Sequence, residues 1–263
     1  MLHLPPLPGS PGWAGSITAV RDWALADAAA FLAGGADGLI VENFGDRPFH
    51  ATAVPAETTA AMAVVAAAGE IPVGINVLRN DGLAALAVAA AAGASFVRVN
   101  VLAGAMVTDQ GLIEGCAADL LRRRRLLAAE GVAVFADVLV KHAHPLAPQP
   151  IAEAVEDTLQ RAGAAAVIVS GVATGAPADP EDLRLARAAA AGAPVLVGSG
   201  CTPALAPTLA GLADGVIVAS SLKHDGVLDR PVDPVRVRQL RQALDGGERR
   251  KPVPDCGQVL PAP

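Results

Sequence analysis

Pro194–Ser221, PVLVGSGCTPALAPTLAGLADGVIVASS, decides the fold. It holds two short apolar strands that each end in small residues, Gly198-Ser199-Gly200 after the first and Ala219-Ser220-Ser221 after the second. Between them, Thr202-Pro203 predicts the start of a short helix, with Thr as N-cap and Pro at the first helical position, where its missing N–H costs nothing. Small residues at strand ends let backbone N–H groups approach an anion, and a helix N-terminus adds donors. Two such loops on adjacent parallel strands are what the last two units of a (β/α)8 barrel commonly provide. Gly and Ser also make tight βα turns without any ligand, so one loop alone reads either way; the tandem pair favours phosphate or another anion.

Working outward, one plan recurs. Gly34–Val41 (GGADGLIV), Ala92–Val99 (AGASFVRV), Ala162–Val169 (AGAAAVIV) and Leu212–Val218 (LADGVIV) each end a helix at a small residue, turn, and enter an apolar β-branched strand. Seven or eight such units without a second compositional zone predict an α/β chain closed as a (β/α)8 barrel over residues 1–245. Residues 246–263, rich in Gly, Pro and charge, read as a flexible C-terminal tail. The expected strands are Met1–Leu4, Ala36–Asn43, Pro72–Val77, Ser95–Val101, Val132–Val138, Ala165–Gly171 and the two above. Helices are expected over Ser16–Ala33, about Pro55–Ala68, Ala84–Ala92 and from Asp233-Pro234 onward. The segment 103–116 is a long loop by this reading.

With 263 residues the chain has the usual size of one such barrel. A net charge of −6 without a basic, aromatic-interleaved patch argues against nucleic acid. The one basic run, Arg122–Arg125, reads as a solvated helix face, with a subunit contact in a homo-oligomer as the other option. No apolar run reaches membrane-spanning length and the N-terminus lacks a signal pattern, so a cytoplasmic protein is expected. Cys116, Cys201 and Cys256 are an odd, scattered set that reads as reduced thiols; Cys201, in the anion turn, reads first as a plain small residue, with an exposed thiol as the other option.

Ligands of a barrel bind at the C-terminal strand ends. Those ends carry His3, Glu42, Asn43, Asp46, Asn76, Arg79, Arg98, Asn100, Asp137, Lys141, His142, Ser170 and Thr174. All five histidines fall in or beside these loops, and two of the three lysines, Lys141 and Lys223, follow strand ends in a chain that otherwise uses arginine. Polar residues must also go somewhere when helices are mostly Ala and Leu. Glu42, Asp137 and Lys141 are the catalytic candidates, carboxylates and an amine whose proton affinities burial can tune. Lys141 also reads as an anion holder or a Schiff-base amine. Arg98 suits a carboxylate or phosphate, with Asn76 and Asn100 reading hydroxyls, and Asn43, His142 and Ser170 are further substrate-binding candidates. Gly198, Ser199, Gly200, Ala219, Ser220 and Ser221 are the phosphate candidates. No cofactor is expected; a divalent metal on Glu42, Asp46, Asp137 and His142 is the alternative, without a spacing motif to fix it.

Several ordered stretches resemble the BtpA/SgcQ family: MLHLPPLPGSP (1–11), GGADGLIVENFGDRPF (34–49), PVGINVLRND (72–81), FVRVNV (96–101), TDQGLIEG (108–115), FADVLVKHAHPL (135–146), VGSGCTP (197–203) and SLKHDG (221–226). The resemblance extends to about Leu244 and implies a TIM barrel of the phosphate-binding type. Some members of that family are associated with photosystem I biogenesis and others sit among sugar-metabolism proteins; the resemblance transfers no catalytic residue. Separately, ADGVIVASS (213–221) is similar to the last-strand phosphate loop of the tryptophan synthase α subunit. The expectation is therefore an enzyme, of lyase, isomerase or hydrolase type, acting on a small phosphorylated metabolite such as a sugar or nucleotide-like phosphate. The alternative is a non-catalytic assembly or stability factor that binds a protein partner.

Overall fold

The computed structural model describes residues 1–66, 71–171 and 176–246. Its parallel sheet takes β1 (Leu2–His3), β2 (Leu39–Glu42), β3 (Val73–Asn76) and β4 (Phe96–Val99) in chain order. The chain then leaves for an antiparallel hairpin, β5 (Ala105–Thr108) and β6 (Gly111–Glu114), and returns as β7 (Ala133–Val138). After β8 (Ala143–Pro145), which pairs with β5, the parallel sheet ends with β9 (Ala166–Val169), β10 (Val195–Val197) and β11 (Gly215–Val216). The ring closes where the Met1 main-chain nitrogen donates to Val218 O at 2.7 Å. This is a (β/α)8 barrel.

Helices α1 (Ile17–Ala33), α2 (Ala56–Ala66), α3 (Gly82–Ala92), α4 (Ala117–Leu126), α5 (Ile151–Glu156), α6 (Pro180–Ala189), α7 (Ala206–Leu212) and α8 (Pro234–Asp245) surround the sheet. Side chains cap several of them as the sequence requires. Asp81 accepts from Ala84 N at the start of α3, and Asp233 accepts from Val235 N before Pro234 of α8. Such caps are each worth roughly 1 kcal/mol. Gly93 ends α3 at φ 70, a backbone conformation that costs glycine little.

Strand alternation sorts the side chains into layers. Outward-facing Val41, Ile75, Val97, Val134, Val167 and Val197 join the buried core beneath the helices. Inward, Ile40, Phe96, Phe135, Ile168, Leu196 and Ile217 fill the lower barrel, with Phe96 and Phe135 stacked 4.5 Å apart. Gly74 makes room there, since a Cβ at that position would lie 2.2 Å from the Phe96 ring. Two residues further along, the inward positions turn polar: Glu42, Asn76, Arg98 and Asp137. Apolar filling below and polar filling above mark the upper end as the place for chemistry.

The sequence expectations need three corrections. Thr202-Pro203 opens a turn, not a helix: α7 starts at Ala206, with Thr202 O accepting from Leu205 N and Ala206 N. The expected long loop carries β5 and β6, whose Val107–Leu112 pairing closes a short antiparallel sheet with β8. Lys223 does not face the strand ends. It is wholly buried against α1, its Nζ 2.5 Å from Asp27 Oδ2, in a layer between helix and barrel. Cys201 is buried, which fits the plain small residue and sets aside the exposed thiol. Arg122, Arg123 and Arg125 are exposed on α4 as expected. The end of the second expected helix at Ala68, Thr174, Cys256 and the tail from 247 onward lie outside the described residues. Among the described residues no helix is long and apolar enough to cross a membrane.

Candidate functional site

A cavity of about 390 Å³ opens at the C-terminal ends of the barrel strands. Both glycine/serine loops line it, Gly198–Thr202 after β10 and Val218–Ser221 after β11. Ser221 Oγ donates to Cys201 O at 3.2 Å and ties one loop to the other. The N–H groups of Ser199, Gly200, Ser220 and Ser221 have no acceptor among the described residues. Two runs of main-chain donors without an acceptor among the described residues line one cavity, an arrangement suited to an anion. Glycine is needed at both ends of the first run. A Cβ on Gly198 would sit 2.2 Å from Ser170 Oγ, and Gly200 holds φ 75 with its Cβ position 2.4 Å from Ala176 O.

The cavity floor is a buried polar network. Arg98 donates to Asp137 from Nε and Nη2, both at 2.8 Å. Asn100 Nδ2 donates to Asp137 Oδ2 at 3.1 Å, and Ser170 Oγ reaches Asp137 Oδ1 at 3.4 Å. Asn76 Nδ2 donates to Arg98 O and to Asn100 Oδ1. Burial disfavours the Arg98 cation, but the Asp137 carboxylate more than offsets this and holds its pKa above the ordinary value. Arg98 and Asn100 show at the cavity surface, whereas Asp137, Asn76 and Ser170 lie beneath it.

One wall comes from β1 and β2. Buried Glu42 lies with Oε2 3.3 Å from His3 Nε2. Burial pushes the His3 imidazole below its ordinary pKa, so the neutral ring donates to the carboxylate. Burial also works against ionised Glu42, yet the His3 hydrogen bond and the Arg98 and Lys141 charges outweigh it and lower its pKa. His3 stacks on Phe44 at 4.2 Å, and the Arg47 guanidinium covers the same ring at 4.7 Å. Lys141 and His142 enter from the loop after β7, and Arg79 from the loop after β3, the strand next to β2. Burial and then the neighbouring Arg98 charge lower the Lys141 amine from its usual pKa. Burial, Arg79 and Lys141 do the same to the His142 ring.

Of the residues singled out from sequence, Glu42, Arg98, Asn100, Lys141, His142, Gly198, Ser199, Gly200, Ala219, Ser220 and Ser221 line this one cavity. Asp137, Asn76 and Ser170 support it from below. Asn43 holds two loops together instead, its Oδ1 accepting from Leu78 N and its Nδ2 donating to Asp46. The four donors considered for a divalent ion are not brought together: Glu42 faces His3, Asp46 accepts from Leu7 N, and Asp137 is held by Arg98. Among the described residues no group of three His, Cys, Asp or Glu side chains is placed to hold a metal. Of the five histidines only His3 and His142 reach the cavity. Sequence reasoning missed Phe44, Arg47, Phe49, Asp109 and Gln110. The first three lie in the polar loop after β2, whose aromatic content was the available signal. Asp109 and Gln110 sit at the β5–β6 tip, which nothing local places over the barrel mouth.

Comparison with known proteins agrees with this architecture. A sequence model described as the BtpA family matches residues 1–246. The chain is 50% identical to the photosystem I biogenesis protein BtpA of Synechocystis sp., over 96% of this chain and 89% of that protein. Among solved structures it is similar to tryptophan synthase from M. tuberculosis, with 21% identity, a TM-score of 0.56 and coverage of 92% and 90% of the two chains. It is also similar to N-(5'-phosphoribosyl)anthranilate isomerase from Pyrococcus furiosus, with 14% identity, a TM-score of 0.52 and coverage of 83% and 92%. At these identities the structural likeness concerns the fold.

Proposed function

The chain belongs to the BtpA family, and we propose that it is an enzyme acting on a small phosphorylated metabolite, a sugar or nucleotide-like phosphate. The observation that carries this reading is the meeting, on a cavity that also receives Glu42 and Lys141, of two loops whose N–H donors have no acceptor among the described residues. The Gly198–Gly200 and Ala219–Ser221 loops hold the phosphate. Glu42, ionised at neutral pH and held by His3, takes a proton from the substrate. Lys141, with its proton loosened by burial and by Arg98, delivers one. Asp137 acts through Arg98 and Asn100, whose side chains it fixes at the cavity floor.

A panel of sugar and nucleoside phosphates, read by thermal shift and calorimetry, tests this reading. A ligand at about a hundred times its Kd adds roughly 2.7 kcal/mol of stability. Phosphorylated compounds should stabilise the wild-type protein, their dephosphorylated counterparts should not, and Ser199→Asp should abolish the effect by placing a carboxylate against the phosphate. Absence of stabilisation by every phosphate overturns it.

The name of the Synechocystis relative, identical at half its aligned positions, favours a second reading as a non-catalytic assembly factor. A stoichiometric protein partner retained by Glu42→Gln and Lys141→Ala variants, in a protein that turns over no phosphorylated compound, would select that reading.

A further inference from the structure

We propose that the cavity has a second anion-binding pole, centred on Arg79 with Lys141 beside it, so that its ligand carries an anionic group at both ends. The inference rests on the phosphate reading above and adds the other half of the ligand.

The first argument is position. The eight parallel strands follow one another as β1, β2, β3, β4, β7, β9, β10 and β11. Arg79 follows β3 and the Gly198–Gly200 loop follows β10, four places apart in a ring of eight. The two therefore face each other across the barrel mouth, and both line the same cavity. Arg79 Nη2 donates to Lys141 O at 2.7 Å, which fixes the guanidinium beside the Lys141 loop.

The second argument is what Arg79 lacks. It is only 6% exposed, and its Nε is buried without a hydrogen-bond partner. Among the described residues no carboxylate lies within 4.0 Å of Arg79 or Lys141, while the neighbouring Arg98 has Asp137 and the buried Lys223 has Asp27. A buried cation with an unmade hydrogen bond is costly, and the fold supplies a carboxylate to both Arg98 and Lys223. Burial holds both the Arg79 and the Lys141 cation below their ordinary pKa. An entering phosphate or carboxylate supplies the missing acceptor and the missing charge in one group. Guanidinium is suited to either, because its planar donors match two anionic oxygens at once.

The test uses α,ω-alkane bisphosphonates with two to six methylenes, the alkyl monophosphonates of matching length, and the ω-carboxyalkylphosphonates. Binding is measured by calorimetry on wild type, Arg79→Met, Lys141→Met and Ser199→Asp, each checked for folding by circular dichroism. At the best length, a bis-anion should bind wild type about tenfold or more tighter than its monophosphonate. Arg79→Met should erase that ratio and leave the monophosphonate within about twofold. Lys141→Met, which keeps the Lys141 carbonyl that Arg79 uses, should reduce the ratio, so a misfolded Arg79 variant does not remove the test. The carboxyalkyl arm separates a phosphate second end from a carboxylate one. A ratio near one at every length, or a ratio untouched by both variants, overturns the second pole while leaving the phosphate reading intact. If Ser199→Asp changes nothing but Arg79→Met abolishes binding, the second pole stands and the phosphate reading falls. Binding by no phosphonate overturns both.

Discussion

Arg98 on β4 and Asp137 on β7 occupy adjacent strands and join through two parallel hydrogen bonds, with 2% and 0% of their side chains exposed. The pair explains how a charge survives inside a parallel strand: its partner comes from the next strand, two residues beyond Phe135, the residue in register with Arg98. Removing one member leaves the other as an uncompensated buried charge, at roughly 3–5 kcal/mol. We expect Asp137→Asn and Arg98→Met each to cost about that much in urea unfolding. The double variant Arg98→Met/Asp137→Leu should cost clearly less than the sum of the two. Additive losses would show that the two side chains do not act as a unit.

The Gly198–Gly200 loop, proposed to hold phosphate, carries a backbone prediction. Gly200→Ala places a methyl group 2.4 Å from Ala176 O at a positive φ, so both strain and a clash follow. Gly104 has φ 71 but nothing within 4 Å of its Cβ position. Gly104→Ala should therefore lose only the left-handed penalty, about 1–2 kcal/mol, and leave phosphate binding alone. Gly200→Ala should lose more and weaken phosphate binding. Equal losses measured by thermal unfolding would remove the clash from the account.

Stability should fall on the acid side, and the sign follows from two groups. The folded pKa of His3 is lowered by burial, so below the unfolded imidazole value of about 6.5 the unfolded chain takes up the proton first and stability drops. Glu42 also has a lowered folded pKa; its contribution is present above the unfolded carboxylate value and is lost as pH falls through the folded one. Urea midpoints between pH 8 and about 3 should decline in two stages. His3→Gln should flatten the upper stage, and Glu42→Gln should flatten the lower one. A wild-type profile with no decline would contradict both placements.

The two described thiols should be slow to react. Burial pushes the Cys201 thiol up to about 11, and burial with the nearby Asp81 and Asp119 charges puts Cys116 at about 11 as well. At pH 8 both remain thiols, and the thiolate is the nucleophile. Labelling by a disulfide reagent, mapped by mass spectrometry, should leave Cys116 and Cys201 unmodified in the folded protein and modify both in urea. Rapid native labelling of Cys201 would mean that the loop after β10 opens.

The sequence alone determined the barrel, because its signals are local and repeated. Glycine and small residues end the helices, Asp81 and Asp233 cap the next ones, and alternate strand positions choose between the lumen and the helix layer. The same alternation puts Glu42, Arg98 and Asp137 on inward faces. It does not say what each meets there. Asp137 and Lys141 read alike as strand-end candidates, yet one is locked beneath Arg98 and the other lines the cavity. Lys141 and Lys223 read alike as well, yet Lys223 is buried against Asp27 of α1, 196 residues earlier in the chain. Only the tertiary structure decided these cases. Pairing depends on which strands become neighbours and at what register, and on which loops cross the barrel mouth; both are properties of chain closure over long sequence separations, with no local trace in the residues that take part.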